Sequence, residues 1–287
     1  RDRLRSRGLG DVYKRQRFNY TVSATLGDNK TVFTKFNNPE KNLSNHYEGK
    51  VLGEIWGYRV DGLFASDEEA AEYTSKINQD AVNERILTDK VDPYYRAGDL
   101  KFRDLDGDNV ISKGDDTAYD AGDREIIGNE TPRYMYSFRL GADWNGFDLG
   151  IFFQGVGKRD WYPNYLSTGF WGPYSRAFTS FIPENFMDQC WSEENRDGYF
   201  PRFRGYQTFA GSQLGVNNDR YLQDASYIRL KNLTVGYTLP VLKKVFTKLR
   251  VYFTGENLWY WSPMLKHTKY IDPEAAGGNG NTGMAYN

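Results

Sequence analysis

The chain has 287 residues, a net charge of −1 and 16% aromatic residues, with 22 Tyr, 18 Phe and 7 Trp beside 29 Gly. This charge balance excludes a nucleic-acid binder that works by bulk electrostatics. A mean hydropathy of −0.73, with no run of about eighteen apolar residues, excludes a transmembrane helix, although a β-barrel passes this test because only alternate residues meet lipid.

One large β domain or two smaller ones fit this length, and Tyr and Gly richness suits an outer-membrane barrel or a glycan-binding β protein. Cys190 is alone, so no intrachain disulfide forms. Residues 1–16 are basic, aperiodic and unlike a secretory signal. Asp11-Val12-Tyr13-Lys14-Arg15-Gln16 resembles translated sequencing-adapter sequence, so residues 1–16 are expected to be non-native and 17–287 to carry the fold. The chain is then expected to be a piece of a longer protein. The first predicted strand alternates Phe18, Tyr20, Val22, Ala24 and Leu26 with Asn19, Thr21, Ser23 and Thr25. A polar loop covers 37–49, and a strand-like run covers Lys50 to Leu63. Ser66-Asp67-Glu68-Glu69 is a capping box for one helix ending near Gln79, after which 80–98 reads as irregular.

The longest pattern is at 132–157. Tyr134, Tyr136, Phe138, Leu140, Ala142 and Trp144 share one face of a strand; Met135, Ser137, Arg139, Gly141 and Asp143 share the other. Asn145-Gly146 supplies a turn. A second strand then sets Phe147, Leu149, Ile151 and Phe153 against Asp148, Gly150 and Gln154, with Phe152 as the exception. Each strand has the length of a tilted transmembrane β-strand, about 9–11 residues, with aromatics at the ends of its apolar face. Tyr136, Phe138, Leu140, Leu149, Ile151 and Phe153 are therefore expected to face lipid. Residues 158–225 carry no long alternation but many aromatics. Strands return at Ser226–Pro240 and from Leu249 to about Trp261, joined through 240–246. Short connections thus alternate with stretches of about seventy residues at 62–131 and 158–225, the arrangement of turns and loops on the two rims of an outer-membrane barrel. No fixed repeat is present, which weighs against propellers and solenoids.

Several segments together resemble the C-terminal part of the SusC/RagA family of TonB-dependent outer-membrane transporters. Gly57-Tyr58-Arg59-Val60-Asp61-Gly62-Leu63-Phe64 is similar to that family's G-Y-x-x-D-G segment. Gly98-Asp99-Leu100-Lys101-Phe102-Arg103-Asp104-Leu105-Asp106-Gly107-Asp108 is similar to its G-D-[IL]-[KR]-[FY] signature. Ile126-Ile127-Gly128-Asn129 with Pro132, Phe147-Asp148-Leu149 with Gln154-Gly155, and Ile228 to Tyr237 follow in family order. Leu249-Arg250-Val251-Tyr252 with Glu256-Asn257-Leu258, and then Asp272-Pro273-Glu274, complete the set. The resemblance implies an all-β fold, a section of a transmembrane antiparallel barrel of about twenty-two strands with long extracellular loops. The family's plug domain, TonB-contacting segment and closing strand have no counterpart here, and an isolated wall section leaves two open edges. The implied function is import of oligosaccharides or peptides across the outer membrane of a Gram-negative, Bacteroidetes-like cell. The implied partners are a SusD-like surface lipoprotein, the TonB complex and outer-membrane lipid, with no nucleic acid.

A second reading from the residues is a soluble, secreted β-sandwich module that binds glycans. The outward strand faces discriminate: lipid must cover them in a barrel, a second sheet in a sandwich. Catalysis has little footing. The two histidines, His46 and His267, lie on separate loops, and no G-x-S-x-G, H-E-x-x-H or P-loop pattern occurs. Trp161, Trp171, Tyr174 and Trp191 are candidate ligand contacts, since flat rings stack on sugars; the alternative is that they pack the loop together. Residues 104–115 align with a twelve-residue Ca²⁺ loop, with Asp104, Asp106, Asp108, the Val110 carbonyl and Asp115 at ligand positions 1, 3, 5, 7 and 12. Asn109 stands where that loop has glycine, and the alternative is an acidic turn whose carboxylates bond their own backbone.

Overall fold

The computed structural model describes residues 18–176, 178, 182–239, 248–269 and 271–276. The adapter-like residues 1–16, the connection at 240–246 and the tail beyond Ala276 lie outside the described residues. In chain order the strands are β1 (Phe18–Gly27), β2 (Glu54–Tyr58), β3 (Val60–Leu63), β4 (Leu100–Phe102), β5 (Arg124–Asn129), β6 (Arg133–Trp144) and β7 (Phe147–Lys158). Then come β8 (Asp160–Trp161), β9 (Cys190–Trp191), β10 (Phe200–Arg202), β11 (Gln223–Asp224), β12 (Tyr227–Leu239) and β13 (Leu249–Trp261). The helices α1 (Asp67–Thr74), α2 (Glu84–Leu87) and α3 (Thr168–Trp171) are short. The chain divides into two units, one holding Met135–Gly155 and Ile228–Tyr260 with the residues up to Gly27, the other Asp28–Tyr134, Val156–Tyr227 and the residues from Trp261.

The first unit is a five-stranded sheet in the order β1-β6-β7-β12-β13. The predicted central hairpin is its middle. Asn145 and Gly146 take φ of 48° and 92°, the paired left-handed geometry whose twist suits a two-residue hairpin. β1 pairs antiparallel with β6, matching Asn19 to Asp143, Ser23 to Arg139 and Thr25 to Ser137, so the polar positions of both strands share one face. Contacts on that face continue across the sheet. The hydroxyls of Thr25 and Ser137 lie 2.7 Å apart, and those of Thr234 and Thr254 3.0 Å apart. Phe152, the exception to the alternation, lies under the Arg139 guanidinium, 5.1 Å from its ring centroid. A ring on a polar face is thus accounted for by a cation over it.

Gly236 has a specific purpose on this face. The Arg250 Nε donates to Asp148 Oδ1 at 2.9 Å, joining β13 to β7 over the intervening β12. A Cβ at position 236 would stand 2.5 Å from Asp148 Oδ1 and 2.7 Å from Arg250 Nη2. Only glycine lets the ion pair pass. Gly236→Val is expected to separate the two side chains at little cost to stability, since the atoms it meets are the ends of flexible, exposed side chains; a double-mutant cycle with Asp148→Asn should show the coupling of this pair vanishing in the Val background.

The opposite face carries the apolar set. Phe18 faces Trp144 in register, and Phe147 packs 4.4 Å from Tyr237. Four neighbouring strands therefore end their apolar face on an aromatic ring at the turn end, the pattern of an interfacial girdle. Every residue of β1 is exposed, and Val251, Tyr252 and Phe253 of β13 are each 60–61% exposed. A sandwich would cover one of these faces with a second sheet, and the fold instead is a section of antiparallel barrel wall. Tyr134 has φ 54° yet stays on the face predicted for it: a Cβ at Gly157 would stand 3.0 Å from the Tyr134 Cβ. Asn257 in β13 has φ 52°, and a Cβ at Gly255 would meet the Leu258 side chain, the mark of an irregularity in that strand.

The second unit is built from small pieces. The strand-like run 50–63 is two short strands, β2 paired with β5 and β3 with β4, and neither pairs with the wall. Between β1 and β6 the wall is thus interrupted for longer than the stretch 62–131 suggested. The break falls at Arg59, which is ion-paired to Glu125 and, at 3.1 Å, to Asp219. The helix cap at Ser66 is present, with Ser66 Oγ accepting from Glu69 N at 3.1 Å. Glu69 reaches back to Ala65 N, and the helix stops at Thr74, short of the expected Gln79.

Candidate functional site

The Gly98-Asp99 segment lies at the centre of the second unit. Gly98 has φ 85°, and a Cβ there would fall 2.3 Å from the Trp191 ring. Its carbonyl accepts from Arg202 N at 2.7 Å. Asp99 is fully buried. It accepts from Arg204 Nε at 3.1 Å and Nη2 at 3.0 Å, and from Arg96 N at 2.9 Å. The same guanidinium donates to the carbonyls of Asp92 and Tyr94 at 3.0 and 2.9 Å. Burial raises the Asp99 carboxyl, and Arg204 opposes that rise. Next to it, the Gln79 amide accepts from Phe102 N at 3.3 Å and donates to the Leu100 carbonyl at 3.1 Å, tying β4 to the segment after α1. Gly98 to Phe102 of the signature thus form a packed, hydrogen-bonded knot.

Of the five Ca²⁺-loop residues, Asp104, Asp106 and Asp108 converge, with carboxylate oxygens within 4.8 Å of one another, and Asp115 is not among them. Each of the three bonds the loop's own amides. Asp104 accepts from Gly107 N and Asn109 N, Asp106 from Asp108 N, and Asp108 from Val110 N, at 2.7–3.1 Å. Asn109 takes the left-handed φ of 65° that its residue type tolerates. The loop is anchored by a residue the spacing did not suggest. Buried Asp123 accepts from Leu105 N at 2.7 Å and Ser112 N at 2.8 Å. Burial raises its carboxyl, and the charges of Asp106 and Asp104 add to that rise. The loop thus combines carboxylates that bond their own backbone with carboxylate oxygens that converge on one point.

The four candidate ligand aromatics fit the packing alternative. Trp161, Trp171, Tyr174 and Trp191 are 4%, 0%, 0% and 7% exposed. Phe200 stands among them, with Phe170, Tyr174, Phe186 and Tyr221 at 5.1–5.9 Å between centroids. The loop that lacks alternation is held by an aromatic core. Other rings face outward. Tyr165 and Tyr206 are 44% and 42% exposed and flank Phe209 at 5.8 and 5.7 Å. Arg85 and Arg176 lie over the same Phe209 ring at 5.4 and 5.9 Å. Residues 85, 165, 176 and 206 are far apart in the chain, so spacing gave no sign of this cluster.

His267 supplies a pH response. Its ring stacks on Tyr199 at 3.6 Å, and burial together with the charges of Lys266 and Arg220 pushes its pKa down to about 4. The unfolded chain binds this proton from about pH 6.5 downward and the folded chain only near pH 4. Stability from this group is therefore complete above pH 6.5 and lost as pH falls toward 4. The second unit is expected to lose thermal stability across that window, and His267→Phe should flatten the loss; an unchanged slope in the variant would assign the effect elsewhere.

Comparison with known proteins places these observations. No protein-family model matches the chain. TonB-dependent receptor P3 of Formosa agariphila is 31% identical over 240 residues, 82% of this chain and 20% of the receptor. The chain is a relative of the TonB-dependent receptors. TonB-dependent receptor P26 of the same organism is 28% identical over 198 residues, 66% of this chain and 18% of that protein. The chain therefore spans about a fifth of the length of these TonB-dependent receptors. Among solved structures, that of the RagAB peptide transporter covers 94% of this chain and 26% of the matched chain at a TM-score of 0.54 and 20% identity. The RagAB peptide importer in its closed-closed state gives a TM-score of 0.52 over the same shares. These likenesses establish the fold, a partial antiparallel barrel with loop-borne structure, as in TonB-dependent receptors.

Proposed function

We propose that this chain forms barrel wall and extracellular loop structure of a SusC-like receptor that imports oligosaccharides or peptides across the outer membrane. The observation that carries the reading is the single-layer sheet, apolar on one face and bonded through polar side chains on the other, ending on an aromatic girdle. Transport on this reading involves no covalent chemistry: ligand is held by differential binding and released inward when the TonB complex acts on other parts of a longer protein. A SusD-like surface lipoprotein meets the loop unit from outside. The likeness to the RagAB peptide transporter makes peptides the first substrate class to try. The test is growth of a strain deleted for the full-length gene on defined oligosaccharides and on defined peptides as limiting nutrient, with plasmid complementation. Loss of growth on one class, restored by the gene, supports import and assigns the class. Unimpaired growth on both overturns it.

A further inference from the structure

A cavity of about 540 Å³ is lined by residues of the second unit alone, and its volume is in the range of ligand pockets, about 300–1,000 Å³. It follows the paired strands β2 and β5: Arg124 opens β5 and Glu130 stands just beyond its end. Six steps of strand separate these two residues, about 20 Å. Trp161, Asn164 and Asn217 add to the lining. Asn217 sits at mid-strand, where its Nδ2 donates to the Trp56 carbonyl at 3.1 Å and Trp56 is matched in register to Ile126.

Most charges in the lining are already bonded. Arg124 Nη2 donates to Asp116 Oδ1 at 2.7 Å and to the Lys113 carbonyl at 2.9 Å. Lys50 Nζ donates to the carbonyls of Leu43 and Asn45 at 3.2 and 2.9 Å. Glu54 accepts from Tyr47 Oη and Val51 N at 2.8 and 2.7 Å. Two charges differ. The Lys113 ammonium and the Glu130 carboxylate have no ion pair or hydrogen bond among the described residues, and Arg159 donates to the Glu130 carbonyl instead. Lys113 belongs to the Arg124 end, so the open cation and the open carboxylate stand at opposite ends of the cavity. Three further groups have no partner among the described residues: the Trp161 indole N–H, Asn164 Nδ2 and Asn217 Oδ1. The Trp161 ring packs edge-on to Phe170 and is 4% exposed, so its donor is fixed in the wall.

No exposed aromatic side chain lines the cavity: Trp161 is buried, and Trp56 and Tyr162 are half-buried. A sugar ring finds no open platform to stack on, and a neutral sugar has no charged ends for Lys113 and Glu130. An extended chain with a cation at one end, an anion at the other and amides between them matches every open group. At 3.3–3.6 Å per residue, about five or six residues bridge this length. We propose that this cavity binds the main chain and free ends of a short peptide, Glu130 taking the ammonium end, Lys113 the carboxylate end, and Trp161, Asn164 and Asn217 the amides between. The site narrows the import reading to peptides and rests on that reading for the fate of the bound ligand.

The test is calorimetric titration of the full-length receptor in detergent with three probes: pentaalanine with free ends, the same peptide acetylated and amidated, and maltopentaose. Wild type should bind the free-ended peptide on the order of tenfold more tightly than the capped one, the worth of two exposed ion pairs. Maltopentaose should bind more weakly than either. Lys113→Gln/Glu130→Gln should abolish the preference for free ends, and Lys113→Arg/Glu130→Asp should keep it. Equal affinity for free and capped peptide, tighter binding of maltopentaose, or a preference that survives the Gln substitutions overturns the proposal. If the double variant does not fold, Lys113→Gln alone decides: it should lose the preference for a free carboxyl end and keep that for a free amino end, and retention of both overturns the site. Growth of the deletion strain reads import separately. Peptide-dependent growth beside unchanged binding by the Gln variant overturns the site and leaves import standing, whereas the expected binding by a receptor whose loss spares growth supports the site and overturns import.

Discussion

Arginine at Leu140 or Ile151 of the full-length receptor is expected to hinder barrel assembly by roughly 2–4 kcal/mol if the residue lies near the bilayer midplane. Both positions belong to the apolar face, Leu140 matched in register to Val22 of β1. Arginine at Ser137 should be tolerated, because that position shares a face with Thr25 and Arg139 and already makes a hydroxyl contact there. The fraction of heat-modifiable, folded barrel in membranes measures the difference. Equal losses at Leu140 and Ser137 would mean that the faces are assigned wrongly.

Arg204→Met is expected to cost the second unit about 3–5 kcal/mol, the loss seen when one partner of a buried ion pair is removed and the other stays charged. Asp99 would keep one amide donor, Arg96 N, and lose both guanidinium contacts. The carbonyls of Asp92 and Tyr94 would lose theirs as well. Asp99→Asn/Arg204→Met should recover part of the loss, since no uncompensated charge remains. Limited proteolysis of the loop unit in the intact receptor reads this locally. If the single and double variants are cleaved alike, packing at Arg204 matters more than its charge.

The wall was legible because a barrel strand writes its geometry into every second residue. The alternation from Tyr136 to Trp144, the Asn145-Gly146 turn and the strands from Tyr227 and Leu249 follow from period two and from left-handed turn geometry. The limits of legibility were physical too. Tyr134 adopts a positive φ that its residue type does not favour, and nothing local announces that. The acidic loop was read from its spacing of Asp, which Asx turns and Ca²⁺ loops share; its anchor, Asp123, lies outside that spacing and could not be read from it. Aromatics in an aperiodic stretch likewise carry no mark of burial; Trp171 and Tyr174 became core only through contacts with Phe200 and Tyr221, more than twenty residues further on.

The inward placement of those rings has a consequence for how such loops diversify. The residues that give the unit its shape, Trp171, Tyr174, Phe200 and Asp99 among them, are out of reach of anything outside. The residues that present themselves, such as Tyr165, Tyr206 and Arg85, take little part in holding it together. Shape and surface chemistry are thus written in separate sets of positions. Substitution in the outer set can therefore change what the unit presents to its surroundings while its shape stays fixed.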